Sequence, residues 1–576
     1  MARRDPHSYN DDTQAETVAL DWRARVDFAT RTLVAEARLH LRAASTGNLD
    51  LDTRGLAIEG VFDGEGRQLA YTLHPEEPIL GSRLEVALVA PTEVVKIRYR
   101  TSPEASALQW LEPAQTAGGT LPFLFSQCQA IHARSVVPLQ DTPRLRIRFT
   151  AELEVPADLV AVMAAADRGR AGNVARFEMP EAIPPYLIAF AVGDLATRDL
   201  SRRARVVAEP SLLVAAAEEF AGVEAMIAAA EALFGPYDWE RFDMLVMPSS
   251  FPYGGMENPR LTFLTPTLIA GDRSNVNVVG HELAHAWTGN LVTNANAEHF
   301  WLNEGFTVYA ERRIIEALEG RELAELHAAL GRRELDAAIA RFGSRPELTK
   351  LRTQLAGVDP DEAFSLVPYE KGYLFLRALE EAAGRGKFDA WLRAWLGAHR
   401  FGAVTTDDFL ASFEAALPGT LARVGAERWI DAPGIPDGAP RAVSARLDAI
   451  EAAARRGPPA TEPPTPVEWQ LYLEALPRPV SVDTLRALDE KFALTRRTNH
   501  EILVTWLELA LVSGYHAVVP RVEEVLGSVG RMKYLRPLYV ALASDPRTRP
   551  VAERTFAAAK ARYHPIARQV IEGVLR

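Results

Sequence analysis

The pentapeptide HELAH at residues 281–285 constrains this chain most, because it sets two histidines four residues apart. Positions i and i+4 of a helix lie on one face, so the imidazoles of His281 and His285 can bind one ion. Glu282 lies about 100° further round the helix, where it can accept a proton from a water molecule beside the metal. Glu304, inside WLNEGF, can supply a third ligand from a second helix. Two histidines and one glutamate leave a coordination position open, which is typical of a catalytic zinc site.

The alternative reading of HELAH is an ordinary amphipathic helix whose two histidines are solvated. A glutamate at this spacing, within Asn303-Glu304-Gly305, favours the metal site. The surrounding segment also has helix signals, with Ser274 as N-cap and Gly289 as the end. We therefore predict a helix from Ser274 to Gly289 that carries the motif.

Length and charge limit the class of protein. At 576 residues the chain is expected to form three or four domains. The content of 48% hydrophobic and 24% charged residues is that of a globular protein. The net charge of −12 argues against nucleic acid or an anionic membrane as partner. It is compatible with substrates that carry a free amine.

Cysteine content and apolar runs bear on location. Cys128 is the single cysteine, so no intramolecular disulfide can form and the metal site cannot be thiolate-based, which fits a reducing compartment. The start MARRDPHSYNDD has two arginines without the apolar stretch of a secretory signal. No run approaches 18 apolar residues, so no transmembrane helix is predicted. We expect a cytoplasmic enzyme with no nucleic acid or membrane partner.

Hydrophobic periodicity changes twice along the chain. Residues 1–196 alternate apolar and polar positions, as in residues 95–100, and predict an antiparallel β domain. Residues 197–436 mix short strand patterns with helices and contain HELAH. A Pro- and Gly-rich linker at 431–441 precedes an almost entirely helical region, predicted as a domain from 437 to 576.

The segment GGMEN at residues 254–258 is a second candidate site. Two glycines let the backbone approach another group closely, and Glu257 follows. A fixed carboxylate beside a hydrolytic zinc can bind the α-ammonium of a peptide, which would direct cleavage to the N-terminus. The alternative is a plain turn with an exposed glutamate.

The segment PYEKG at residues 368–372 is the third candidate site. A Tyr369 hydroxyl near zinc can donate a hydrogen bond to the oxyanion of a tetrahedral intermediate. The alternative is a buried aromatic residue whose hydroxyl is satisfied elsewhere.

In this order, GGMEN, HELAH, WLNEGF and PYEKG resemble the gluzincin metallo-aminopeptidases, whose catalytic domain is thermolysin-like. Longer stretches are similar to one branch, the leukotriene A(4) hydrolase and aminopeptidase B group. These stretches lie at 125–143, 250–272, 287–294 and 530–539. The resemblance implies a multidomain α+β enzyme with an N-terminal antiparallel β domain, a thermolysin-like catalytic domain and a C-terminal all-helical domain.

The same resemblance implies roles for individual residues. It implies one zinc ion bound by His281, His285 and Glu304, with Glu282 as general base and Tyr369 as oxyanion stabiliser. Implied substrate-binding residues are Gln127, Gln129, Ala130, Tyr253, Gly254, Gly255, Met256, Glu257, Asp361, Arg531 and Lys533. Of these, Glu257 and Gln129 would bind the free amine of a short peptide, and Arg531 and Lys533 its carboxylate.

Glu311 follows Glu304 by seven residues, on the same helix face two turns on. We predict that it orients a zinc-bound imidazole; the alternative on spacing alone is a surface glutamate. Without the resemblance to this family, we would interpret Arg531 and Lys533 as a pair of solvated cations.

Two other functions are weighed against a peptidase. Leukotriene A(4) hydrolase also opens a lipid epoxide, for which its relatives use an Asp and a Tyr. Asp361 matches the Asp, but Phe364 stands where that hydrolase has Tyr, which puts efficient epoxide hydrolysis in doubt. A catalytically silent scaffold would have a broken metal or base position, and none of the five key positions is broken.

Overall fold

The computed structural model describes residues 5–576, so Arg3 and Arg4 of the N-terminal start lie outside the described residues. The N-terminal region is built from strands because its apolar residues alternate along the chain. These strands are β1 Thr17–Asp27, β2 Thr32–Thr53, β3 Ala57–Asp63, β4 Tyr71–Leu73, β5 Ser82–Arg100, β6 Leu108–Leu111, β7 Phe123–Ser126, β8 Ile147–Glu154, β9 Val160–Met163, β10 Ala166–Ala171, β11 Val174–Ile183 and β12 Phe190–Gly193.

Eight of these strands form one sheet in the order β10-β11-β8-β1-β2-β5-β3, with β4 also paired to β5. Every pairing in it is antiparallel except β1 with β8, which is parallel. A second sheet has the order β6-β7-β12-β9. The ring centroids of Trp22 and Phe190, one from each sheet, are 5.4 Å apart. The two sheets therefore pack on each other and share a core.

The catalytic region mixes a small sheet with helices. Its strands are β13 Ala196–Asp199, β14 Arg205–Ala208, β15 Phe242–Val246, β16 Gly255–Met256, β17 Arg260–Leu264, β18 Val292–Asn294 and β19 Gly402–Val404. Its helices are α1 Leu213–Glu219, α2 Val223–Phe234, α3 Asn277–Ala284, α4 Trp301–Glu319, α5 Arg321–Arg341, α6 Pro360–Ala363, α7 Gly372–Ala383, α8 Arg385–Ala398, α9 Thr406–Ala416, α10 Thr420–Val424 and α11 Ala426–Ile430.

The five-stranded sheet of this region places GGMEN at its edge. The strand order is β13-β14-β15-β17-β16, and β16 contains the second glycine of the segment. This edge strand lies against α3, which carries His281, because a Cβ at Gly255 would overlap the side chain of Glu282. The sheet thus sets the distance between GGMEN and HELAH.

The predicted helix from Ser274 to Gly289 is wrong at both ends. Helix α3 spans only Asn277–Ala284. At its start, Ser274 forms a turn in which its backbone N–H donates to Asp272 Oδ1 over 3.0 Å. At its end, the chain turns back toward β18, and Gly289 takes a φ of 111° that suits glycine. The second histidine of the motif therefore lies directly after the helix rather than inside it.

The C-terminal region is all-helical and follows an irregular segment that contains the predicted 431–441 linker. Its helices are α12 Ala445–Arg456, α13 Pro466–Ala475, α14 Val482–Phe492, α15 His500–Val512, α16 Val519–Ser528, α17 Met532–Ser544, α18 Arg549–Ala559 and α19 Pro565–Leu575. It has its own apolar core. Among residues 5–576, no helix is long and apolar enough to cross a membrane.

Backbone hydrogen bonds dock this helical region on the loop before GGMEN. The N–H of Gly530 donates to the carbonyl of Ser249 over 2.7 Å, and that of Met532 donates to Pro252 over 2.8 Å. A Cβ at position 530 would overlap the backbone of Ser250, so glycine permits this close approach. The start of α17 is thereby fixed against the catalytic region.

Helix α4 is the centre of the catalytic region, since every residue from Trp301 to Ile315 is buried. It crosses the start of α7 at two glycines. A Cβ added to Gly305 would lie 2.7 Å from the Cα of Gly372 and 3.0 Å from the carbonyl oxygen of Pro368. Both contacts are with backbone, which cannot move aside as a flexible side chain would.

We therefore expect Gly305→Ala to destabilise the protein by about 1–3 kcal/mol through overpacking. The matched control is Gly397→Ala on α8, where an added Cβ meets nothing within 4 Å. That change is expected to be neutral or to stabilise by about 0.5–1 kcal/mol. Thermal unfolding followed by circular dichroism measures both. Equal midpoints for the two variants would contradict the proposed crossing.

Candidate metal centre and substrate pocket

Helices α3 and α4 bring the three predicted metal ligands together. The Nε2 atoms of His281 and His285 lie 3.4 and 3.5 Å from Glu304 Oε2. One ligand atom from each residue lies within 4.8 Å of the other two. Glu304 Oε2 is buried and, within the described chain, has no hydrogen-bond donor. A buried carboxylate oxygen flanked by two imidazole nitrogens fits a divalent cation, and this donor set is one that zinc takes in catalytic sites.

Hydrogen bonds on the far side of each imidazole orient the two histidines. His281 Nδ1 lies 3.0 Å from Glu311 Oε2. His285 Nδ1 lies 3.0 Å from the carbonyl oxygen of Thr288 and 3.1 Å from Thr307 Oγ1. Because acceptors take the Nδ1 proton, each Nε2 presents its lone pair toward Glu304. Glu311 thus lies where the spacing predicted it.

The charges around the two rings also suit a cation. Burial lowers the pKa of His285 to about 4, so its imidazole is neutral at pH 7 and able to bind metal. Burial also disfavours charge on His281, but the carboxylates of Glu304 and Glu311 beside the ring outweigh burial and raise its pKa, so a bound metal would take the place of a proton on Nε2. The same negative field favours a divalent cation between the rings.

Glu282 lies beside the three ligands, in a second group with Glu257 and His285 whose ligand atoms are within 4.8 Å of one another. It is 6% exposed, and a Cβ at position 255 would overlap its carboxyl group. Burial raises the pKa of Glu282, and the neighbouring charges of Glu257 and Glu304 raise it further. A carboxylate with a raised pKa next to a metal is suited to exchange a proton.

Glu257 is buried at the other end of this group. Its Oε1 accepts a hydrogen bond from Gln129 Nε2 over 3.3 Å, and its backbone carbonyl accepts one from Asn290 Nδ2 over 2.6 Å. Gln127 Nε2 lies 3.1 Å from the sulfur of Met256. The loop after β7 therefore contacts GGMEN directly. The structure excludes the plain-turn alternative, because Glu257 is 4% exposed.

Tyr369 lies over the first histidine, on a single π-helical turn, Val367–Lys371. Its ring stacks on His281 with centroids 6.1 Å apart and planes at 18°. Burial raises the pKa of Tyr369, and the charges of Glu304 and Glu257 add to this effect. The hydroxyl therefore stays protonated at neutral pH and can donate a hydrogen bond.

A small, largely apolar cavity of about 80 Å³ opens beside this site. Its lining includes Gln129, Ala130, Ile131, Tyr253, Phe300 and Phe364. The ring centroid of Phe364 is 6.0 Å from those of both Tyr253 and Tyr369. The cavity therefore presents an apolar, aromatic wall to a side chain bound next to the metal ligands.

Asp361 lies in the wall of the cavity but is not a free carboxylate. Its Oδ2 is 2.8 Å from His132 Nε2. Burial favours the neutral form of Asp361, but the charge and hydrogen bond of His132 outweigh burial and lower the pKa of Asp361. The side chain is therefore engaged in a hydrogen bond with His132.

Arg531 reaches the site from the helical region, whereas the side chain of Lys533 is 43% exposed; both are paired. Arg531 Nη1 lies 3.1 Å from Glu501 Oε1, and Lys533 Nζ lies 3.0 Å from Glu501 Oε2. Lys533 also lies 3.4 Å from Glu334. A Cβ at Gly254 would be 2.7 Å from Arg531 Nη2, so the guanidinium abuts GGMEN. The solvated-pair alternative does not hold for Arg531, which is 6% exposed.

Sequence reasoning missed three residues of this site. His132 pairs with Asp361, and Glu501 bridges the two C-terminal cations. Tyr186 is buried, with its hydroxyl 3.4 Å from Asn303 Nδ2, and burial together with the charge of Glu257 raises its pKa. None had a sequence signal, because each contacts residues more than 25 positions away along the chain.

The fold and this donor set define a zinc metallopeptidase. Models of three known domains match the chain in order: the peptidase M1 N-terminal domain over 5–187, the peptidase family M1 domain over 219–429, and the leukotriene A4 hydrolase C-terminal domain over 465–575. The chain belongs to peptidase family M1, in the branch that carries the leukotriene A4 hydrolase C-terminal domain.

Relatives match it over nearly their whole length. Leukotriene A-4 hydrolase of Xenopus laevis is 36% identical, with 98% of each chain covered. Leucine aminopeptidase 2 of Yarrowia lipolytica is 38% identical, covering 95% of this chain and 90% of that one. The structure of yeast LTA4 hydrolase in complex with bestatin superposes with a TM-score of 0.94 at 33% identity, covering 100% and 97% of the two chains.

We expect Glu282→Gln to retain zinc and to lose at least ~100-fold in turnover, because it removes a proton acceptor and no metal ligand. Metal analysis and the rate with an aminoacyl chromogenic amide measure the two effects. Glu319→Gln, at the exposed end of the same helix that carries Glu304, is the control and should match the unmodified enzyme. Near-normal turnover by the Glu282 variant would refute its role.

Proposed function

We propose that this enzyme is an aminopeptidase that removes N-terminal residues from short peptides with a free amine. The observation that carries the proposal is the buried Glu257, which is held by Gln129 and lies in one group with Glu282 and His285. A leucine aminopeptidase and a bestatin-binding protein among the relatives support it.

Glu257 sets which bond is cut. An α-ammonium group that binds to Glu257 and Gln129 replaces water as the partner of a buried carboxylate. Burial raises the pKa of Glu257, and a bound cation stabilises its charged form. Since the first peptide carbonyl belongs to the same residue as the ammonium and only Cα separates them, this anchoring delivers that carbonyl to the metal ligands. Peptides without a free amine leave Glu257 without a cationic partner, and their first carbonyl is then not held at the metal ligands.

In the proposed roles, zinc held by His281, His285 and Glu304 supplies Lewis-acid chemistry. Glu282 accepts the proton of the attacking water and passes it to the leaving amine. Tyr369 donates a hydrogen bond to the oxygen that becomes negative.

The far end of a short peptide lies toward the helical region. We propose that Arg531 and Lys533 receive its carboxylate, which rests on the resemblance and on the contact of Arg531 with Gly254. The rest of the proposed substrate-binding set is Gln127, Ala130, Tyr253, Gly254, Gly255, Met256 and Asp361. We propose a cytoplasmic location, which the single, buried Cys128 supports, and no nucleic acid partner.

Epoxide hydrolysis is the alternative activity. The cavity and Asp361 are present, and one relative is named for that reaction. However, Asp361 is paired with His132, and Phe364 has no hydroxyl group. Because one of the two expected polar groups is absent and the other is engaged, the aminopeptidase reaction is favoured.

We expect an N-acetylated aminoacyl amide to be cleaved at least ~100-fold more slowly than the free amine, because it cannot pair with Glu257. Glu257→Ala should remove most of the turnover of the free amine. The test compares both substrates at equal concentration, with and without a metal chelator. Equal rates for acetylated and free substrates would refute an exopeptidase, and full activity in chelator would refute the metal site.

A further inference from the structure

Glu370, the residue after Tyr369, forms a buried ion pair with Arg312 on α4. Arg312 Nη2 lies 2.7 Å from Glu370 Oε1, and both residues are 7% exposed. The ring centroid of Tyr373 lies 3.9 Å from Arg312 Cζ. On the side of α5, a Cβ at Gly331 would overlap both members of the pair. Helices α4, α5 and α7 and the π-helical turn of Glu370 therefore meet at one ion pair directly beside the site.

The turn that carries Tyr369 depends on such anchors. A single π-helical turn is a rare, irregular element. The next residue, Lys371, donates from Nζ to the carbonyl oxygens of Thr349 and Ala432, each over 2.8 Å. The two residues after Tyr369 are therefore tied to different parts of the catalytic region. These contacts leave the turn little freedom to shift.

Helix α4 connects this anchor to the metal ligands. It carries Glu304, then Glu311, whose carboxylate lies 3.0 Å from His281 Nδ1, and then Arg312. A continuous helix fixes the distances between these residues. Through the ion pair, the same helix fixes the segment of Tyr369 relative to the metal ligands.

Stability alone does not account for the pair. Arg312 Nε and Nη1 and Glu370 Oε2 are buried without a hydrogen-bond partner in residues 5–576. Incompletely satisfied buried ion pairs are often no more stable than apolar side chains of the same volume. Burial also raises the pKa of Glu370 against the effect of its partner. An ion pair does, however, fix the relative position of two segments more narrowly than apolar contact.

We propose that Arg312 and Glu370 are positioning residues that hold the Tyr369 hydroxyl at the place where the oxyanion forms. This inference rests on the proposed role of Tyr369 in the aminopeptidase reaction. It assigns a positioning role to Glu370, the glutamate of PYEKG, and links this residue to Arg312, which lies 58 positions earlier in the chain.

A double-mutant cycle tests the positioning role of Arg312 and Glu370. It compares the unmodified enzyme with Tyr369→Phe, Glu370→Gln and the double variant, and it measures kcat, KM and bound zinc for each. Tyr369→Phe should lower kcat about 10²–10³-fold. Glu370→Gln should lower kcat about 10–100-fold through misplacement of the hydroxyl, with KM and zinc content little changed. Because both act through one hydroxyl, the double variant should be no slower than Tyr369→Phe alone.

The matched control is Glu380→Gln on α7. Glu380 is also a buried carboxylate, with Oε2 accepting from the Tyr309 hydroxyl over 2.7 Å and Oε1 paired with Arg385. The Glu380→Gln change should lower the thermal unfolding midpoint but leave kcat within about twofold of that of the unmodified enzyme. If Glu370→Gln does not fold, Arg312→Lys, which keeps the charge but not the guanidinium geometry, takes its place in the cycle.

The outcomes separate the inference from the proposed function. If Tyr369→Phe is impaired but Glu370→Gln has normal kcat, or if the two effects multiply in the double variant, the positioning role is overturned. If Tyr369→Phe itself has normal kcat, the role of Tyr369 fails and the positioning role fails with it. A loss of kcat in Glu370→Gln that disappears in the Tyr369→Phe background supports the inference.

Discussion

Negative charge buried around two imidazoles is the constraint on which the site depends. Glu304 lies between His281 and His285, and Glu257 and Glu282 lie within a few ångströms of the same point. Buried carboxylates this close repel one another and raise each other's pKa. A divalent cation relieves this repulsion, and in the proposed reaction the ammonium group of the substrate does the same.

One buried helix gives this arrangement its rigidity. Helix α4 contributes a proposed zinc ligand, the carboxylate that orients a histidine, and the arginine that anchors the turn of Tyr369. Its position is set by close packing, since Gly305 meets Gly372 backbone to backbone. Close packing between helices therefore contributes directly to the geometry of the site.

The proposed substrate pocket is assembled from all three regions. Gln129 comes from the N-terminal β region, Glu257 directly follows the edge strand of the catalytic sheet, and Arg531 directly precedes α17. Backbone hydrogen bonds of Gly530 and Met532 fix the helical region against the loop before GGMEN. The length of peptide that this proposed pocket admits thus depends on how the regions dock. Where the regions meet, Glu501 pairs with both Arg531 and Lys533.

The sequence by itself determined the three-region order, the family and the grouping of His281, His285 and Glu304, because these follow from periodicity and from short motifs. The predicted helix around HELAH was too long, since the helix ends at Ala284 and the N–H groups of Ala286 and Trp287 donate to carbonyls only three residues back. Only the tertiary structure decided that Asp361 pairs with His132, that Arg531 and Lys533 share Glu501, and that Glu370 pairs with Arg312. Those contacts join residues 30 or more positions apart, and spacing along a chain carries no information about which distant segments pack together.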